Sequence, residues 1–210
     1  MANVDDLLGN EEAIFMPSEE NKNTQRPTFT PIVEGYYLGH ITSSESRVVN
    51  VMGGKHKARV FNYKFTVSPD NKVNDYKFKW NNTEFDAKGD AYADKIFNGA
   101  IFKYLEPQEG DTFTSRADGN VGYYKACERL GLKSKEETRK IDGKDVKVQI
   151  LPKLTDETLI GKPLKVFVKQ GKPWTGSDGK ERKSWKVVNF EAWDGPVLSA
   201  NSNDAVNVPF

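Results

Sequence analysis

The segment from His56 to Val67 constrains the fold most, because it is the longest stretch of the chain with the pattern of a single β-strand. Side chains two residues apart on a strand share a face. That spacing places two cations and three rings together: Lys57, Arg59, Phe61, Tyr63 and Phe65. The turn sequence Ser-Pro-Asp-Asn follows directly at 68–71. Together with several other strand-like segments along the chain, it predicts a mainly β protein.

The remaining pattern predicts a small barrel. Further strands are expected at 36–41, 73–80, 164–170 and 183–193, a turn at 42–46, and a helix at 120–131. Asn120 is suited to cap that helix and Gly131 to end it. Residues 83–118 show no clean period, and we interpret them as short strands and irregular turns. Three strands, a helix and two strands is the order of an OB-fold, a five-stranded Greek-key barrel, here with the helix between strands three and four.

The ends of the chain differ from its middle. Residues 1–31 are polar and acidic and contain three prolines, so they are predicted to form a flexible N-terminal arm. Residues 32–196 would be the OB-like domain, with a charged insertion near 134–151. Residues 197–210 are small and polar, and they are predicted to form a flexible C-terminal tail.

The distribution of charge points to a polyanionic partner. The formal net charge is only +1. Residues 46–80 nevertheless carry eight Lys or Arg against two Asp, and residues 162–186 carry eight against two acids. A basic block that folds onto one face attracts a polyanion whatever the net charge of the chain.

Cations interleaved with aromatic rings are what single-stranded nucleic acid requires, since cations hold phosphates and flat rings stack on unpaired bases. The predicted phosphate contacts are Arg47, Lys57, Arg59, Lys77, Lys79, Lys169, Lys172 and Arg182. The predicted stacking rings are Tyr63, Tyr76, Trp80 and Trp174. Trp174 lies in the polar loop before the last strand, a loop that OB-folds use on oligonucleotides. The competing interpretation of each ring is that it fills the barrel core.

The chain ends in Val208-Pro209-Phe210 after a polar tail. In this it resembles phage and bacterial single-stranded DNA-binding proteins, whose tails end in an apolar tip. The resemblance implies single-stranded DNA binding without sequence preference, in DNA replication, recombination or repair. It also implies that the tip recruits replication or recombination proteins. The chain departs from the family in its tail, where only Asp204 supplies a negative charge near the tip.

Other functional classes are less well supported by the sequence. No recognised catalytic motif is visible, and we expect neither an enzyme nor a cofactor. One Cys and two His cannot supply an internal disulfide or a four-ligand zinc site. No stretch approaches the roughly 20 apolar residues that span a bilayer, so we expect a cytoplasmic protein, in the host cytoplasm if viral. An RNA-binding OB module, a phage structural or assembly protein, and a homo-oligomer stay open as alternatives.

Overall fold

The computed structural model describes residues 29–54, 56–72, 76–107, 113–115 and 119–197. The strands in that part are β1 Gly35–Val51, β2 His56–Val67, β3 Tyr76–Trp80, β4 Thr83–Ala87, β5 Ile96–Pro107, β6 Phe113–Ser115, β7 Lys135–Ile141, β8 Lys144–Ile150, β9 Pro163–Gln170, β10 Trp174–Thr175, β11 Glu181–Arg182 and β12 Trp185–Ala192. Helices are α1 Val121–Arg129 and α2 Asp156–Leu159, and Gly89–Tyr92 forms a 3-10 turn. Most of the predicted N-terminal arm and the predicted tip Val208, Pro209 and Phe210 lie outside the described residues.

Five strands close into a barrel. β1 pairs with both β2 and β9, β2 pairs with β5, and β9 pairs with β12, all antiparallel. The parallel pairing of Lys186 on β12 with Asn98 on β5 completes the ring. Alternate residues of these strands point inward and are buried, including Tyr37, Phe65, Phe97 and Val166. The mainly β class and the five-stranded barrel predicted from the sequence are therefore confirmed.

The first barrel strand is much longer than predicted. β1 is one strand of 17 residues, so the turn expected at 42–46 is wrong. Its polar side chains lie on a strand that continues through a bulge between Ile41 and Ser43. β1 and β2 come close at Gly39, where an added Cβ would lie 2.0 Å from the carbonyl oxygen of Thr66. This close approach explains the glycine.

The assignment of the third strand was also wrong. Tyr76–Trp80 pairs with β4 in a separate two-stranded sheet, and the third strand of the barrel is β5. Sequence periodicity missed β5 because apolar residues lie on both of its faces. Phe97 is buried inside, whereas Ile96 and Phe102 are 57% and 42% exposed outside.

Helix α1 is attached to β5 through its first flanking residue. The side chain of Asn120 does not cap the helix, contrary to expectation. It instead accepts a hydrogen bond from Tyr104 N at 2.8 Å and donates one to Tyr104 O at 3.1 Å. Gly131, at a φ of +78°, ends the helix as predicted. This attachment fixes α1 against β5.

The segment between α1 and α2 forms an exposed hairpin. β7 and β8 pair antiparallel around a turn made by Asp142 and Gly143, whose φ angles are +50° and +75°. Every residue of β7 is exposed. Within the described ranges, no helix has the length and apolar character needed to cross a membrane.

Candidate nucleic-acid interface

Two of the predicted stacking rings belong to the barrel core. Tyr63 and Tyr76 are 4% and 5% exposed. Tyr63 meets Phe190 edge to face at 6.5 Å, and Tyr76 stacks on Tyr37 at 5.0 Å. Burial raises the pKa of the Tyr63 hydroxyl well above its usual range. Neither ring offers a free face to a base, so neither can serve as a stacking platform.

A row of exposed lysines crosses the outer face of the barrel. Lys64 on β2 is the cross-strand partner of Asn98, Asn98 is the partner of Lys186, and Lys186 is the partner of Lys169. All four side chains are exposed. Like charges placed directly opposite on a sheet destabilise it. Lys169 Nζ lies 3.8 Å from the carboxylate of Glu34. We call Lys64, Lys169 and Lys186 the lysine row.

A groove with a volume of about 390 Å³ lies beside this row, between β5, α1 and β12. We call it the aromatic groove and define it by Phe102, Tyr104, Lys125 and Arg129. Phe102 is 42% exposed, and Lys125 and Arg129 are both exposed. None of the described residues that line the groove is acidic. A flat ring beside two cations is suited to an unpaired base with its phosphates.

The walls of the aromatic groove are held by side-chain hydrogen bonds. Asn120 fixes the backbone of Tyr104, as described above, and so positions the start of α1. At the other end of the helix, the Arg129 guanidinium donates to Asn189 Oδ1 on β12. The groove is therefore preformed, which reduces the ordering cost of binding.

Arg47 lies on the same outer face. It is the partner of Val60 on β2, and Val60 is the partner of Phe102 on β5. Arg47, the buried Val60 and the exposed ring of Phe102 thus lie in one row across β1, β2 and β5. Asn98 and Phe102 are four residues apart on β5, so this row lies about 13 Å from the lysine row. Arg47 with Phe102 and the lysine row, at that distance from each other, can contact successive parts of one strand of nucleic acid.

Lys57 and Arg59 lie on the opposite face of β2, and Arg59 lines a second groove. Here β1, β2 and β5 continue past the barrel, and residues 153–157 form the far wall of a groove of about 530 Å³. We call this the mouth groove. Arg59 is the direct partner of Lys103, and Lys103 Nζ lies 5.3 Å from the ring centroid of Tyr123. Partial burial, and then the charge of Arg59, lower the pKa of Lys103.

The mouth groove carries its own negative charge. Asp156 and Glu157 line it, and the Asp156 carboxylate accepts hydrogen bonds from Ser44 Oγ at 2.6 Å and Ser46 N at 3.1 Å. Despite partial desolvation, these bonds and the charge of Arg59 hold the Asp156 pKa below its usual value. The Tyr123 ring is 1% exposed. With its cations partly compensated and no free ring, this groove suits a nucleic acid less well than the aromatic groove.

The other predicted residues lie on two small hairpins. Lys77, Lys79 and Trp80 are on β3, where Lys77 Nζ is 3.1 Å from Glu84 and Trp80 packs edge to face on Phe29. Lys172, Trp174 and Arg182 lie in the connection between β9 and β12. Trp174 is 47% exposed and pairs across β10 and β11 with Arg182. Arg182 forms a salt bridge of 3.0 Å with Asp178.

Sequence reasoning did not select the residues that define the aromatic groove or two members of the lysine row. The missed residues are Lys64, Phe102, Tyr104, Lys125, Arg129 and Lys186. The alternation of Asn98, Ala100, Phe102 and Tyr104 on one face of β5 was the signal available, and it required recognising β5 as a strand. No group of three His, Cys, Asp or Glu side chains is arranged to hold a metal ion in the part of the chain that the structure describes.

Comparisons of the chain with protein-family models, with curated proteins and with solved structures gave no match.

Proposed function

We propose that this protein binds single-stranded nucleic acid, DNA first of all, without sequence preference, across the outer face of the barrel. The aromatic groove carries the proposal. It sets the exposed ring of Phe102 beside Lys125 and Arg129, with no acidic residue among its described lining. Stacking on one ring contributes about 1–3 kcal/mol per base, and it tolerates any base because every base has a flat face.

The geometry favours a single strand over a duplex. A ring inside a concave groove can stack only on a base that is free to leave its neighbours, and the bases of a duplex are paired and stacked. The lysine row and Arg47 would then hold the phosphates on either side of that base. Binding through phosphates weakens as salt rises, because counterions are released when a phosphate is neutralised.

The strand order supports an OB-like barrel as the scaffold. The ring order β1-β2-β5-β12-β9, with α1 between the third and fourth barrel strands in the chain, agrees with an OB-fold. OB-folds bind oligonucleotides on the face of their second and third strands, aided by the loop between the fourth and fifth. Those strands would be β2 and β5 here. Trp174 and Arg182 lie in the corresponding loop and would extend the site.

The wider role remains the one that the sequence suggests. A non-specific single-strand binder protects exposed strands during replication, recombination or repair, in the cytoplasm of the cell or of a viral host. The terminal Val208-Pro209-Phe210 would recruit proteins of those processes.

Titration with a fluorescently labelled oligo-dT, at low and high salt, tests this function. We expect saturable binding that weakens as salt rises, with much poorer competition by a duplex of the same length. Equal competition by duplex would contradict the proposal, as would absence of binding at low salt. Competition by a matched RNA oligonucleotide separates the RNA alternative, since only RNA presents a 2′-hydroxyl.

A further inference from the structure

The outer edge of β7 is an unpaired strand edge with a self-complementary charge pattern. β7 and β8 form a sheet of two strands, and no other described strand pairs with either. The β7 sequence is Lys-Glu-Glu-Thr-Arg-Lys-Ile. Glu137 and Arg139 lie one residue from Thr138 on opposite sides, and Glu136 and Lys140 lie two residues from it, so each acid is matched by a base at the same distance. Exposed edges of this kind are templates for pairing with another strand.

The backbone presents the correct groups along that edge. Ile141 and Lys144 flank the two-residue turn, and in such a hairpin the flanking pair exchanges its own hydrogen bonds. Since these bonds alternate along a strand, the N–H and C=O groups of Glu136, Thr138 and Lys140 point away from β8. In an antiparallel pair of β7 strands centred on Thr138, Thr138 lies opposite Thr138 of the other copy and Glu136 lies opposite its Lys140. The outward N–H and C=O groups of all three residues would then have backbone partners.

We infer that two copies of this protein associate through β7, antiparallel and in register about Thr138, to form a four-stranded sheet. In that register Glu136 faces Lys140 of the other copy, and Glu137 faces its Arg139. The two-fold axis repeats both pairs, which gives four cross-strand pairs of opposite charge around a Thr–Thr contact. Each such pair favours association modestly, and the surface is isologous, so the dimer is closed.

The other edge of the hairpin is protected against the same pairing. On β8 the equivalent central residue is Lys147, which would face itself across a two-fold axis. Lysine on an edge strand is a common device against unwanted pairing. Of the two edges of the hairpin, only that of β7 is therefore suited to pairing with another copy, which favours dimers over filaments.

Sedimentation of the full chain over about a hundred-fold range of concentration tests the inference. We expect a weak monomer–dimer equilibrium, because a single strand pair is smaller than a standard interface. The dimer should weaken as salt rises. A chain that stays monomeric throughout overturns the inference, and β7 would then be available to a different partner.

Charge reversal gives the matched variants. E136K/E137K places bases opposite bases, and R139E/K140E places acids opposite acids, so each should dimerise about ten-fold or more weakly than the unmodified chain. An equimolar mixture of the two restores complementary charges and should form heterodimers. The chain carrying all four reversals should again dimerise with itself.

Persistent dimers in both reversed variants, or a mixture that does not associate, would contradict pairing through β7. All of these residues are exposed. The reversals also remove the ion pair of Glu136 with Lys147 at 3.1 Å or that of Arg139 with Glu137 at 3.2 Å within the hairpin, so circular dichroism is used to check that each variant is folded. The hairpin is separate from the lysine row and the aromatic groove. Oligo-dT binding by the monomeric variants would therefore show that the two surfaces act independently.

Discussion

Lys169 on β9 and Lys186 on β12 are direct cross-strand partners, so two exposed lysines share one face of the sheet. Like charges opposite each other destabilise a sheet, and Lys169 offsets part of this cost through Glu34, whose carboxylate lies 3.8 Å from its Nζ. Lys64 extends the same row across Asn98. An exposed row of cations on one face is expected where a polyanion binds.

Replacing Lys186 with Gln should weaken oligo-dT binding roughly three- to ten-fold at moderate salt, equally for all base compositions. The slope of log affinity against log salt should fall by about 0.7, the value for one phosphate of a single strand. The free energy of unfolding should stay equal or rise, because repulsion with Lys169 is removed. Titrations at several salt concentrations measure both effects.

Lys153→Gln is the matched control for this prediction. Lys153 is exposed but lines the mouth groove, so its loss should leave the affinity and the salt slope nearly unchanged. A larger loss of oligo-dT affinity from Lys153→Gln than from Lys186→Gln would indicate that the nucleic acid binds in the mouth groove.

Phe102→Ala should reduce affinity for oligo-dT about ten-fold or more, because it removes a stacking platform. The salt slope should be unchanged, since no phosphate contact is lost. Phe29→Ala is the control, because Phe29 is 57% exposed but packs on Trp80, away from the described groove lining. Equal losses from both variants would argue against a specific stacking site.

Gly99→Ala should destabilise the fold by about 1–3 kcal/mol through overpacking. Gly99 is the cross-strand partner of Tyr63, and an added Cβ would lie 2.3 Å from Cζ of that buried ring. Gly122→Ala has nothing within 4 Å of the added atom and should be neutral or slightly stabilising. Urea unfolding of both variants measures the difference. Equal stability of the two would show that Tyr63 does not pack on Gly99.

Asp156→Asn should lower the free energy of unfolding near neutral pH by about 1 kcal/mol, a modest value because the carboxylate is partly exposed. The folded state lowers the pKa of Asp156, so its stabilisation is complete above the unfolded pKa. It is lost as pH falls through the lower folded value. The difference between the two proteins should therefore disappear in acid, as urea unfolding at several pH values can test. A difference that persists in acid would contradict this origin, and Asp145→Asn on the exposed hairpin should show no effect.

Much of the barrel could be predicted because its strongest patterns are local. The bounds of β2 were predicted as observed, and α1, β9 and β12 agree within two residues at each end. A long alternating segment between turn residues specifies a strand without help from its neighbours. β1 was harder, because its polar middle resembles a turn and becomes a strand only through pairing with β2.

The candidate site was less predictable than the barrel. Alternation along a strand shows which side chains share a face, but not whether other elements cover that face. On β2, Lys57 and Arg59 share a face with Tyr63. That face changes from open groove to core where the strand enters the barrel. The exposure of Phe102 was harder still to predict from local sequence, because it follows from the position of β5 between β2, α1 and β12. Lys125 and Arg129 of α1 come to lie beside its ring only after folding.

Photocrosslinking is the most direct test of the account. An oligonucleotide carrying 5-bromodeoxyuridine would be irradiated with the protein, and the modified peptide identified by mass spectrometry. We predict the principal adduct on Phe102 or Tyr104, lost when unlabelled oligo-dT competes and retained in the presence of duplex. Principal adducts on Phe29 or Trp80, or adducts that duplex removes equally well, would contradict single-strand binding in the aromatic groove.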